Sequence, residues 1–63
     1  GVDLSERECE LLVHLRRGAS NQEIARAWFV SVNTVKFHRA NLYRKLRAGT
    51  REEALAAALR WGY

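Results

Sequence analysis

Helix-start signals recur along this chain, and they constrain its fold more than any other feature of the sequence. Three segments, residues 5–8, 20–23 and 50–53, place a serine or threonine three positions before a glutamate. In this capping-box pattern the hydroxyl and the carboxylate satisfy free amide groups at the start of a helix. Ser31 is a further N-cap candidate, without the glutamate. The sequence therefore predicts four helices joined by short connections.

The predicted fold is all-α, and two glycines help to define where its helices end. Gly18 and Gly62 fit the left-handed residue that follows the last turn of a helix. The absence of proline, with only four glycines in the chain, also suits helices throughout. The predicted helices span about residues 6–17, 21–28, 32–46 and 51–61, to within about two residues.

Length and composition argue against catalysis and against membrane insertion. A chain of 63 residues forms one domain, residues 1–63, with a modest core and little room for an enzyme pocket. The single Cys9 cannot form an intramolecular disulfide, and no zinc-type spacing or membrane-length apolar segment is present. We therefore predict no enzyme activity, catalytic residue, metal, cofactor or membrane partner. Because the chain begins at Gly1 rather than Met, we expect it to be a fragment of a longer protein.

The connection between the second and third predicted helices is only residues 29–31. A turn of this length between two short helices is typical of a helix-turn-helix motif, and the small Ala25 would let the two backbones approach. Taken alone, the turn fits nucleic-acid binding and ordinary helix packing equally well. The residues predicted to fill the seam are Ile24, Ala25, Trp28, Val30 and Val35. The predicted motif comprises Asn21, Gln22, Glu23, Ile24, Ala25, Arg26, Ala27, Trp28, Phe29, Val30, Ser31, Val32, Asn33, Thr34, Val35, Lys36, Phe37, His38, Arg39 and Ala40.

The third helix is predicted to be apolar on one side and basic on the other. Val35, His38, Leu42 and Leu46 fall within an arc of about 80° on a helical wheel, which should face the core. We expect His38 to be packed at the core edge and to donate a hydrogen bond, because nothing near it resembles a metal site. The opposite side of the helix carries Asn33, Phe37, Ala40 and Arg44, flanked by Lys36 and Tyr43.

The basic side of this helix suits a polyanion. Residues 24–51 contain seven basic residues and no Asp or Glu, and the whole chain has a net charge of +4. An outward Phe37 is either a stray exposed aromatic or a residue that enters a DNA groove and contacts thymine methyl groups. In the second case Lys36 would donate to guanine, the small Ala40 would permit close approach, and Asn33 or Arg44 would hold phosphates.

Two further predictions concern contacts outside this face. Glu8 lies among the leucines of the first helix, so besides capping we expect it to pair with Lys45 or Arg44 of the third helix. The apolar residues of the fourth helix spread over about 200° of the wheel, more than one core contact needs. We therefore expect self-association through this helix. The predicted dimer residues are Leu55, Ala58, Leu59 and Gly62.

Six short segments of the chain resemble the LuxR/GerE-type DNA-binding domain. They are residues 4–8, 18–25, 30–31, 34–38, 42–46 and 51–54, and the resemblance that they carry runs over nearly the whole chain without insertions or deletions. The resemblance implies a four-helix domain with a helix-turn-helix, used as the C-terminal output module of a bacterial, cytoplasmic transcription regulator such as a response regulator. It also implies dimerisation through the fourth helix.

By position, the resemblance assigns DNA base contacts to Lys36, Phe37 and Ala40. It assigns phosphate contacts to Thr34 and Arg44, and also to Ser20 and Asn21 at the start of the second helix. With Asn33 from the helical wheel, this completes the predicted DNA-contacting set.

The chain departs from the family pattern at three positions. Trp28 stands where the family usually has Leu, which should enlarge the seam. Arg47 and Ala48 stand where the family has Gly and Val. We therefore expect the third helix either to continue past Leu46 or to end with Gly49 in the left-handed conformation.

The predicted function is sequence-specific binding of double-stranded DNA as a homodimer. RNA polymerase is a further expected partner. The alternative is a basic helical protein-interaction module that binds an acidic partner or a sensor domain of its own parent protein. Within DNA binding, the promoter-reading helix-turn-helix of sigma factors is a near relative, but it lacks a self-dimerising fourth helix.

Overall fold

The computed structural model describes residues 2–63, and this part of the chain folds into four α-helices without a β-strand. They are α1 (Glu6–Arg16), α2 (Asn21–Trp28), α3 (Val32–Leu46) and α4 (Arg51–Arg60). The all-α prediction is confirmed. The predicted bounds of α2 and α3 are the observed ones, and α1 and α4 each end one residue earlier than predicted.

Two of the three predicted capping boxes form completely. The Ser5 and Ser20 hydroxyls each accept the amide of the glutamate three residues on, at 3.1 Å, and each glutamate carboxylate accepts the serine amide at 2.8 Å. Ser31 caps α3 as predicted, because its hydroxyl accepts the Thr34 amide at 3.1 Å. These caps fix where α1, α2 and α3 begin.

The third capping box is only half formed. Thr50 accepts the Glu53 amide, but the Glu53 carboxylate accepts the Gly49 amide at 2.7 Å instead of the Thr50 amide. Thr50 has φ −136°, whereas Ser5 has φ −69°. This difference turns the amide of Thr50 away from the carboxylate and leaves that of Gly49 within reach.

The end of α3 differs from both outcomes expected from the sequence. The helix stops at Leu46, and Arg47 itself is left-handed with φ 53°. The Arg47 amide donates to the Arg44 carbonyl at 3.2 Å, and the Ala48 amide donates to the Tyr43 carbonyl at 2.9 Å. This pair of bonds is the usual way of closing a helix with a left-handed residue, and here it is made without glycine. By contrast, Gly18 and Gly62 have the predicted positive φ.

α3 occupies the centre of the domain and packs against α1, α2 and α4. Its predicted inward residues Val35, Leu42 and Leu46 are buried, and His38 is half-buried. The buried apolar core is made of Leu11, Leu12, Leu15, Ile24, Ala25, Val35, Leu42, Leu46, Ala54, Ala57 and Ala58. Every helix therefore helps to fix the rotation of α3 about its axis.

The seam between α2 and α3 is built around Trp28. Its ring meets the rings of His14 and His38 edge to face, at centroid distances of 5.9 and 5.8 Å, and the Arg7 guanidinium lies 4.5 Å from its centroid. No hydrogen bond to the His38 side chain occurs within residues 2–63, so the bond predicted for it is replaced by aromatic contacts with Trp28 and Phe37. The indole thus fills space between the helices that the smaller side chain of a leucine would leave empty.

Glu8 fastens α1 to α3, as predicted, and its partner is Lys45. The carboxylate is 5% exposed, and its Oε1 lies 2.8 Å from the Lys45 Nζ. Burial by itself would raise the pKa of Glu8. The hydrogen bonds from Lys45 and Ser5, with the charge of Lys45, outweigh burial and leave the pKa below its ordinary value of 4.5.

Replacing Glu8 with Gln should lower the free energy of unfolding by about 1 kcal/mol, because Gln keeps the cap but loses the ion pair. The loss is no larger because Lys45 is partly exposed and solvent screens its charge. The contribution of Glu8 is full above pH 4.5 and is lost as the pH falls through the lower folded pKa. The variant should therefore lose less stability than the parent as the pH is lowered below 4.5, in urea unfolding followed by circular dichroism. Glu23→Gln is the matched control, since Glu23 makes the same cap without a lysine partner. Equal effects of the two substitutions would show that Lys45 adds nothing.

Replacing Arg47 with Gly should raise the free energy of unfolding by about 1 kcal/mol, because glycine adopts positive φ without steric cost. Arg17→Gly is the control, since Arg17 follows α1 in the same way but has φ −82°. Thermal unfolding should show Arg47→Gly above the parent and Arg17→Gly at or below it. A loss of stability in Arg47→Gly would mean that the arginine side chain contributes more than its backbone conformation costs.

Candidate nucleic-acid interface

The outward side of α3 presents the residues predicted to contact DNA bases. Lys36, Phe37 and Ala40 are all exposed, and Phe37 is 64% exposed. Asn33 and Arg44 are exposed on the same side. These residues share one face because Val35, Leu42 and Leu46 occupy the opposite side and are buried in the core. The three base-contact candidates therefore lie together on an accessible surface.

The predicted phosphate contacts lie at the starts of α2 and α3 and near the end of α3. Ser20 is exposed, and Asn21 and Thr34 are half-buried. The Thr34 hydroxyl lies 3.0 Å from that of Ser31, and the Arg44 Nη1 donates to the Asn41 Oδ1 at 2.9 Å. These local bonds orient the side chains and leave further N–H groups of Arg44 free for an acceptor.

The electrostatics of this surface favour an anion. Within residues 2–63 the ion pairs are Arg7–Glu10, Lys45–Glu8 and Arg51–Glu52, so no carboxylate neutralises a cation of the outward side of α3. The first turn of α3 contains no acidic residue. Lys36 and Arg44 thus keep their charges available at the surface.

A half-buried network at the edge of this face was not predicted from the sequence. The Arg39 Nη1 donates to the Asn21 Oδ1 at 2.7 Å, and the Arg39 Nε donates to the Tyr43 hydroxyl at 3.1 Å. On a helical wheel Arg39 falls at the edge of the core side, a position from which its long side chain is expected to carry the charge into solvent. The spacing of four residues between Arg39 and Tyr43 was the only signal in the sequence, and nothing in it indicated the contact with α2.

The exposed turn of the helix-turn-helix has an unusual residue at its tip. Phe29 is 95% exposed and left-handed, with φ 56°, although glycine would adopt this conformation at lower cost. Gln22, Arg26, Val30 and Val32 line a shallow groove beside it. The sequence placed Phe29 in the turn but gave no sign of its backbone conformation.

α4 exposes only part of the surface predicted for a dimer. Leu59 is 73% exposed, Gly62 is exposed, and Leu55 is half-buried. Ala58 is fully buried against the core, so its side chain offers no surface to a partner, and its assignment to the interface is wrong. The physical reason is that α4 contacts both α1 and α3, which cover more of its circumference than one contact would.

The described part of the chain holds neither a membrane-spanning helix nor a cluster of metal-binding side chains. No helix within residues 2–63 is long and apolar enough to cross a bilayer. The same part of the chain contains no group of three or more His, Cys, Asp or Glu side chains arranged to hold a metal ion.

A fold and a surface of this kind define a helix-turn-helix domain, and comparison with known proteins gives its family. The GerE family model, which describes bacterial regulatory proteins of the luxR family, matches residues 2–58. The chain belongs to this family of transcriptional regulators. It is 51% identical over 55 residues to the CsgBAC operon transcriptional regulatory protein of Escherichia coli K12, and the match covers 87% of this chain and 26% of that protein.

Solved structures agree with this assignment. The response regulator ChrA of a heme-sensing two-component system is 41% identical and superimposes with a TM-score of 0.88, covering 94% of this chain and 29% of ChrA. VqmA of Vibrio cholerae, solved in complex with ligand and DNA, is 34% identical with a TM-score of 0.86, covering 98% of this chain and 27% of VqmA. The chain spans about a quarter of the length of the curated relatives it matches.

Proposed function

We propose that this domain binds duplex DNA with sequence specificity, with α3 in the major groove and α2 crossing the backbone. The observation that carries the proposal is the shared exposure of Lys36, Phe37 and Ala40 on a helix side without carboxylates. An α-helix fits the major groove of B-DNA, where base edges can be distinguished. The domain would act as the output part of a cytoplasmic bacterial regulator and would need no enzymatic activity or cofactor of its own.

In this proposal the three base-contact residues have different roles. The Lys36 ammonium donates to guanine O6 or N7, and the Phe37 ring contacts thymine methyl groups. Ala40 has no side chain beyond Cβ, so the helix can approach the floor of the groove there. Lys36 and Phe37 would therefore set the sequence preference, while Ala40 sets the depth of insertion.

The phosphate contacts would hold the helix in register. Ser20, Asn21, Asn33 and Thr34 supply neutral donors, and Arg44 supplies a charged one. Contacts of this kind carry little sequence information, and the charged contact of Arg44 also weakens as salt rises, because neutralising a phosphate releases condensed cations. The proposal therefore predicts affinity that falls with salt for cognate and random DNA alike.

Two copies would pair on DNA through α4. The exposed Leu59, with Leu55 and Gly62, supports a small apolar contact, and a two-fold dimer would read half-sites centred about 10 bp apart. Because this contact is small, pairing would depend on DNA, which brings the two copies together.

The alternative is a protein-interaction role, and Phe29 is the observation that favours it. A fully exposed aromatic in a costly backbone conformation, beside Arg26, suits contact with an apolar and acidic protein surface. RNA polymerase bound next to the domain on a promoter would be such a partner. A DNA titration without any salt-sensitive binding would favour this role over the first.

Replacing Lys36 with Ala should reduce the preference for cognate over random DNA by about 5- to 100-fold, the value of a good base contact. Replacing Arg44 with Ala should instead weaken both alike and reduce the salt slope of log K by about 0.9. Fluorescence anisotropy with duplexes selected from a random pool measures both effects. Arg60→Ala is the control, because it removes one charge from an exposed position on α4.

The major-groove proposal would be contradicted if Lys36→Ala and Arg44→Ala both bound DNA as well as Arg60→Ala does. If Lys36→Ala instead lost affinity equally for cognate and random DNA, Lys36 would be a phosphate contact and would have no part in base recognition.

Replacing Leu59 with Asp should abolish pairing on DNA, because it puts a charge into the proposed apolar contact. Sedimentation velocity with a two-half-site duplex should show two parent chains per duplex and one Leu59→Asp chain. Ala56→Asp is the matched control, since it introduces the same charge at another exposed position of α4. Unchanged stoichiometry in Leu59→Asp would refute dimerisation through this surface.

A further inference from the structure

We propose that Arg39 is a positioning residue that sets the start of α2 relative to the base-contacting side of α3, through Asn21 and Tyr43. The inference rests on the proposed DNA binding and deepens it. It assigns a role to a cation that neither the helical wheel nor the family positions placed in the site.

The geometry of the Arg39 side chain is that of a bracket between two helices. Its Nη1 reaches across to the Asn21 Oδ1 at 2.7 Å, and its Nε bonds the Tyr43 hydroxyl one turn further along α3 at 3.1 Å. The guanidinium carbon also lies 5.4 Å from the centroid of the Tyr43 ring. All three residues are half-buried, so the bracket is partly shielded from water. A planar, forked donor is needed to make both bonds at once.

The bracket determines how Asn21 faces outward. Arginine has only donors, so the side chain of Asn21 must turn its oxygen towards Arg39. Its NH₂ group then points away from Arg39 within the plane of the amide, where its two hydrogens are available to an acceptor. Asn21 is thereby held in the orientation that a phosphate contact requires, without a rotamer search on binding.

Arg39 orients the Tyr43 hydroxyl in a similar way. Because the hydroxyl oxygen accepts from Arg39, its own proton is free to donate elsewhere. Tyr43 lies two turns along α3 from Lys36, on the same flank of the helix. Arg39 therefore orients one donor on α2 and one on α3, both beside the base-contacting side chains. Arg39 thus helps to set the position of the start of α2 relative to Lys36, in addition to the apolar packing between the two helices.

The experiment compares Arg39→Lys, Asn21→Ala and the double variant in DNA binding by fluorescence anisotropy. Lysine keeps the charge but cannot hold both partners in the forked geometry. We expect each single variant to lose about tenfold in affinity for cognate DNA, and the double variant to lose clearly less than the product of the two losses, because the two residues share one hydrogen bond. Arg60→Lys is the control, because it makes the same chemical change at an exposed position of α4 and should bind as the parent does.

A second readout does not depend on DNA. In the free protein, the Asn21 side-chain NH₂ resonances should move in Arg39→Lys towards those of a solvent-exposed asparagine, while backbone amides of the core stay in place. The inference would be overturned if Arg39→Lys bound DNA like Arg60→Lys, if the losses multiplied fully in the double variant, or if the Asn21 resonances did not move. Failure of the DNA-binding proposal itself is distinguishable, because the parent chain would then show no salt-sensitive binding.

Discussion

Burial of one side of α3 is the constraint on which the rest of the structure depends. Val35, Leu42 and Leu46 are in the core, and each contributes about 1.5–3 kcal/mol relative to an exposed position. Turning the helix by one residue step, 100°, would bring these side chains towards water and bury charged ones. The rotation of α3 is therefore fixed, and the exposure of Lys36 and Phe37 follows from it. Their availability to a groove is a consequence of core packing.

Much of this arrangement could be predicted from the sequence, because it depends on local patterns. Hydroxyl residues predicted the starts of all four helices, three of them with a following Glu, and each predicted helix end lies within one residue of the observed one. The apolar period of α3 identified its inward side. An ion pair between Glu8 and α3 could be predicted too, with Lys45 or Arg44 as the partner, since a carboxylate among leucines requires a cation; the structure shows that the partner is Lys45. Each of these inferences needed only the helix concerned and one neighbour.

The features that the sequence did not predict arise from contacts between helices or from backbone conformation. Phe29 and Arg47 adopt positive φ in the turns after α2 and α3, and neither phenylalanine nor arginine is a residue type that predicts this conformation. Ala58 was assigned to a dimer surface because a wheel drawn for one helix cannot show that two others cover it. Arg39 was expected in solvent, since its partner Asn21 lies eighteen residues away on α2.

The most direct test of the central claim is an NMR titration of the ¹⁵N-labelled domain with a duplex that carries one selected half-site. The account predicts the largest amide shift changes at Lys36, Phe37 and Ala40 and at the start of α2, with the buried side of α3 nearly unchanged. Changes concentrated on α1 or α4, with the outward side of α3 unmoved, would contradict it.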